Sequence, residues 1–285
     1  MASAWDEGLD KGQNRGARRL GVASVVGVIM LLSGTLGVGC SASTHSPPTS
    51  SRSSPSTAST SSRTTTSTMS PTSSADTTVA PGTLGSYLPL FPFATLPDVQ
   101  AWQQSYASGG HQPWHLDAGQ TALAFAAWLG YGGIDKVVGL RTDGTGAHVS
   151  VGFLVGGPND EKAVSAIVHL VRWGSGTGIP WEVVGTDDTT FSLTRPPYGT
   201  TVTSPVTVGG LITGVDENIG VQVRMSSSSS AIGTFCCLAE GNVNTPWSAT
   251  VSFTASSGQV LTLAAQTGGH VAAVERFTVT GVRVR

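Results

Sequence analysis

The sequence predicts an α+β domain, with helices laid on a curved antiparallel sheet, followed by an all-β sandwich, both carried on a disordered N-terminal stalk. Three observations predict it. Residues 96–129 hold two capped stretches with helical spacing, residues 133–184 change to strict alternation, and residues 204–285 alternate in short runs broken by Gly, Ser and Asn. The boundaries that follow are a signal peptide over 1–39, a Ser/Thr/Pro-rich linker over 40–83, the α+β domain over 84–200 and the sandwich over 201–285.

The chain begins with Lys11, Arg15, Arg18 and Arg19 ahead of an uncharged run from Leu20 to Gly39 that stops at Cys40. A basic flank followed by an apolar run is the pattern of an export signal. The ending Leu36-Gly37-Val38-Gly39-Cys40 resembles a bacterial lipoprotein signal, in which a small residue precedes a cysteine that is lipidated and becomes the new N-terminus. Gly37 stands where that pattern has leucine, and the alternative is an uncleaved signal anchor. Either way the rest of the chain is expected outside the cytoplasm, at the cell membrane, with Cys40 as the lipidation (palmitate) site if the signal is cleaved.

From Ser41 to Thr83, 27 of 43 residues are Ser or Thr and five are Pro, with almost no large apolar side chain to repay the entropy of ordering. A stalk of this length reaches roughly 35 Å as a flexible coil and roughly 130 Å fully extended.

The α+β domain opens with Thr95 and Asp98 as a capping pair, Pro97 in the first turn, and Val99, Trp102 and Tyr106 at helical spacing, which predicts a helix over 96–106. A second helix starts after Asp117, with Gln120 three residues on, and runs to Gly130. Asp143-Gly144 then marks a hairpin before Val149, Val151, Phe153 and Val155 alternate with His148, Ser150, Gly152 and Leu154. Val164 to Leu170 and Trp181 to Val184 continue the sheet. This order is similar to the cystatin-like cone of nuclear-transport-factor relatives.

In the last third, Val206 and Val208, Val221 to Met225, Ala249 to Phe253, and Leu261 to Ala265 each offer one face to a core. Phe277 and Val279 continue the pattern, while Val282 and Val284 fall on the opposite parity, so Gly281 reads as a bulge. The opening Ser204-Pro205-Val206-Thr207-Val208-Gly209-Gly210, the strand Val221-Gln222-Val223-Arg224, Trp247 before Ala249-Thr250-Val251, and Phe277-Thr278-Val279 resemble the immunoglobulin-like domain of bacterial spore-germination proteins. The resemblance implies an extracytoplasmic module of envelope proteins and transfers no catalytic residue. The Ser226 to Ser230 run and Cys236-Cys237 depart from it.

Composition narrows the function classes. Beyond residue 39, 11 basic side chains face 14 acidic ones, and Lys136 and Lys162 stand without basic neighbours, so nucleic acid is not an expected partner. No nucleophile elbow, zinc-protease motif or phosphate loop is present. The densest polar and aromatic cluster is His111, Trp114, His115 and Asp117; its packing role outweighs acid-base or metal chemistry, and Asp117 serves as a helix cap. Cys236 and Cys237 read either as one buried and one exposed thiol or as a vicinal disulfide, with pairing between chains as a third course.

The expectation is therefore a non-enzymatic, membrane-anchored envelope protein that binds a protein, glycan or lipid partner, with no cofactor, no metal and no catalytic residue. His111, Trp114, His115 and Trp181 are the candidate ligand-binding residues. The alternative is a small extracytoplasmic hydrolase with its site in the α+β domain.

Overall fold

The computed structural model describes residues 84–144, 146–156 and 161–285, with no side-chain description for 215–217. The signal, Cys40 and stalk assignments lie outside these residues. No helix among the described residues is long and apolar enough to cross a membrane.

Local sequence sets both helices. Thr95 and Asp98 form the reciprocal capping box of α1 (Leu96–Gly109), which ends at Gly110 in the left-handed conformation, φ 68°. A short 3-10 turn, Pro113–Leu116, leads to α2 (Ala118–Trp128), whose N-cap Asp117 accepts from the Gln120 amide at 2.8 Å.

Four strands follow: β1 (Lys136–Asp143), β2 (Gly146–Leu154), β3 (Lys162–Arg172) and β4 (Trp181–Thr186), an antiparallel sheet in sequence order. The inner faces of β2, β3 and β4 supply Val149, Val151, Val168, Leu170 and Val183 to a core closed by Phe125 and Leu129 at the end of the second helix. The glycine-rich loop between β3 and β4 is pinned by Gln103, whose amide donates to the carbonyls of Ser175, Thr177 and Gly178.

A second sheet holds β5 (Thr201–Val202), β6 (Val206–Arg224), β7 (Gly233–Val251), β8 (Val260–Thr267) and β9 (Arg276–Val284) in the order β5-β9-β8-β6-β7. The fold is thus mostly β, with two α-helices among the described residues.

Two expectations are corrected. Val206 to Val208 and Val221 to Val223 are not separate short strands but the two halves of one long strand, β6, and its register against β7 shifts around Gly214. The first half bridges to Phe191 and Arg195, the second pairs with β8, and both halves bury side chains in one core around Trp247. Gly281 is not a bulge, since the β8–β9 register runs unbroken from Val260↔Arg283 to Thr267↔Arg276. The parity change has another cause: β9 is buried on both faces, giving Phe277 and Val279 to the first core and Val282 and Val284 to the second.

The two sheets meet where β3 and β4 of the first lie against β9 of the second, within one compact unit. Gln222 ties them further, its amide donating to the Leu129 carbonyl at 2.9 Å and the Tyr131 hydroxyl at 2.8 Å.

Candidate functional site

Of the residues singled out from sequence, Trp114 and His115 come together, with ring centroids 3.6 Å apart. His115 is only 3% exposed, packed against Phe93 and Trp102, and its Nε2 lies 3.3 Å from the Gln112 side-chain oxygen. Burial pushes its pKa down to about 4, so the ring is neutral at pH 7. His115 Nδ1 and Trp102 Nε1 are both buried without a hydrogen-bond partner. His111 is exposed beyond the end of α1. Trp181 belongs to the first core and lies beneath the Arg172 guanidinium, 4.1 Å from its ring centre. None of these four residues lines the cavities described below.

A different polar cluster is assembled on the opposite face of the first sheet. The β1–β2, β2–β3 and β3–β4 registers place Arg141, His148, His169 and Gly185 in one row across four strands. The His148 and His169 rings stack at 4.4 Å with an interplanar angle of 12°. Asp187 Oδ2 lies 2.7 Å from His148 Nδ1, and Asp143 Oδ2 lies 3.3 Å from His148 Nε2. Both imidazole nitrogens of His148 thus face carboxylates. With a carboxylate set against each ring nitrogen, His148 offers a substrate no unengaged nitrogen.

His169 is half-buried beside His148. Its pKa is lowered by burial first and by the neighbouring His148 second, with Asp187 and Asp143 pulling the other way and Arg141 adding a smaller lowering. The Tyr87 ring meets it edge-on at 5.2 Å. No group of three or more His, Cys, Asp or Glu among the described residues is placed to hold a metal ion.

His169 opens into a cavity of about 400 Å³ along the seam between the sheets, where Tyr87, Thr186, Asp188, Thr194, Tyr198 and Thr280 surround it. A second cavity of about 530 Å³ also borders Tyr87 and is lined by Leu84, Trp173, Met225, Gln259 and Arg283. Tyr87 is the wall common to both.

The segment bearing Tyr87 is held by two side chains. The Tyr198 hydroxyl accepts from the Leu88 amide at 2.6 Å, and burial pushes the Tyr198 pKa up to about 12. The fully buried Glu182 accepts from the amides of Phe91 at 2.9 Å and Phe93 at 3.2 Å. Burial drives the Glu182 pKa well above the usual carboxylate range, with those backbone donors opposing the shift.

Sequence reading missed this cluster. Alternation alone puts His148 and His169 on the polar side of their strands, and Asp143 and Asp187 carry turn signals. Their convergence is a property of strand register, which no local pattern states.

The chain matches no protein-family model, no curated protein and no solved structure.

Proposed function

We propose that this is a non-enzymatic, membrane-anchored envelope protein, held outside the cytoplasm through Cys40 and its stalk, that binds a glycan in the seam cavity beside His169. The observation that carries the reading is the lining of that cavity: hydroxyls of Thr194 and Thr280, the Asp188 carboxylate, the His169 imidazole and the Tyr87 ring. Hydroxyls, a carboxylate and an imidazole hydrogen-bond sugar hydroxyls, and an aromatic ring packs against the apolar face of a pyranose. A volume of about 400 Å³ suits one or two sugar rings.

Within this reading the helices and first sheet form a cystatin-like cone, and residues 201–285 an immunoglobulin-like sandwich. Support for the sandwich is that the two halves of β6 pair with different neighbours yet enclose one core. Support for binding over hydrolysis is that Asp188 is the single carboxylate among the described residues lining the cavity, where glycoside hydrolysis uses a pair.

The test is full-length protein in detergent, applied to immobilised envelope polysaccharide fragments. Saturable retention that falls at least tenfold in His169→Ala and Tyr87→Ala, with no new reducing ends released, is the expected result. Release of reducing ends would move the protein to the hydrolase class, and retention unchanged in both variants would remove the cavity from the account. For the anchor, Cys40→Ala is expected to abolish incorporation of labelled palmitate.

A further inference from the structure

Cys236 and Cys237 lie on β7, the edge strand of the second sheet, with their two sulfurs brought together. Both are exposed, which corrects the expectation of one buried and one exposed thiol. The strand register explains how neighbours come to share one environment. Phe235 pairs with Val221 and Leu238 with Ile219, so both cysteines stand opposite Gly220 alone. Two residues against one is a bulge, and it relaxes the alternation that would send consecutive side chains to opposite faces of the sheet. The flanking side chains confirm the extra residue: Phe235 and Leu238, three apart, both pack on the second core.

A cavity of about 320 Å³ opens beside Cys236, with Gly220, Gln222, Thr234 and Gln266 around it. It gives an incoming sulfur a line of approach that a bond sealed in the core would lack.

We propose that the Cys236–Cys237 pair is a reversible thiol–disulfide site whose redox state sets the pairing of β7 against β6, with a dithiol reductant as its reaction partner. The reductant's thiolate attacks Cys236 Sγ, the sulfur that borders the cavity. The bond to Cys237 breaks, and Cys237 leaves as a thiolate that takes up a proton. The reductant's second thiol then attacks its own bound sulfur, closing the reductant's disulfide and releasing Cys236 as a thiol. Two electrons and two protons pass from the reductant to the protein. With the link broken, the two residues opposite Gly220 are free to shift, and the pairing on either side loosens. The site is independent of the glycan reading, since it lies in a different cavity and uses none of the same side chains.

The test is alkylation of full-length native protein with N-ethylmaleimide, counted on the peptide carrying residues 236–237, before and after dithiothreitol. The expected result is no adduct without reductant, two adducts after it, and none again after treatment with oxidised dithiothreitol. Two adducts on the untreated protein, a covalent dimer that disappears on reduction, or reduction achieved only in denaturant would each overturn the proposal. Hydrogen exchange supplies the second readout: on reduction the amides of Thr234 and Leu238 are expected to exchange about tenfold faster. Unchanged exchange would overturn the coupling to β7.

Discussion

His148 Nδ1 and Asp187 Oδ2 lie 2.7 Å apart, joining the start of β2 to the residue just beyond β4 across the intervening strand β3. The contact is partly shielded, with the His148 side chain 14% exposed and that of Asp187 32% exposed. Asp187→Asn is expected to destabilise the protein by about 1–2 kcal/mol, the scale of a charge-assisted hydrogen bond discounted for partial exposure. It should also lower the His169 pKa further, because Asp187 pulls that value upward, whereas His148→Gln should raise it. Following the imidazole resonances through a pH titration checks both signs.

His115 makes stability depend on acid. Its folded pKa of about 4 lies below the unfolded value of 6.5, so the folded state binds fewer protons between the two. The stability it contributes is present above pH 6.5 and is lost as pH falls toward 4, by about 3 kcal/mol at most. Urea midpoints measured from pH 7 to pH 4 should fall less steeply in His115→Phe than in the parent protein.

Glu182 acts in the opposite direction. Its folded pKa is raised, so its contribution is present below the usual carboxylate range and is lost as pH rises through the folded value. The difference between parent and Glu182→Gln stability curves should therefore decline with rising pH. Glu182→Ala strips the Phe91 and Phe93 amides of their acceptor and should cost about 3 kcal/mol at pH 5, read from denaturant unfolding.

Gly210 is where the first half of β6 touches the segment carrying Ser192. A Cβ there would stand 2.0 Å from the Ser192 carbonyl oxygen, a backbone atom that cannot rotate away. Ser192 pairs with Leu211 at 2.9 Å, and its carbonyl also accepts from the Trp247 indole at 3.1 Å. Gly210→Ala is expected to cost about 3 kcal/mol, at the upper end for overpacking, and to raise Trp247 fluorescence exposure in quenching experiments.

The parts of the fold legible in sequence are those written within one turn or one strand. Thr95 with Asp98, and Asp117 with Gln120, announce both helix starts because the groups that cap them are three residues away. The alternation from His148 to Leu154 announces β2. The continuity of β6 was hidden because the register shifts around Gly214 break its parity, and β9 was misread because both of its faces are buried. The candidate site was hidden for a related reason. His148 and His169 are 21 positions apart, and only the β2–β3 register makes them neighbours. His115, by contrast, was visible as part of an aromatic cluster, and the structure packs it there.

The most direct test of the central claim follows the histidine side-chain resonances of isotope-labelled full-length protein as the best-retained saccharide fragment is titrated in. A saturable shift is expected at His169, transmitted weakly to the stacked His148, with the exposed His111 and the buried His115 unmoved. Saturable shifts at His111 or His115 with His169 unchanged would contradict it.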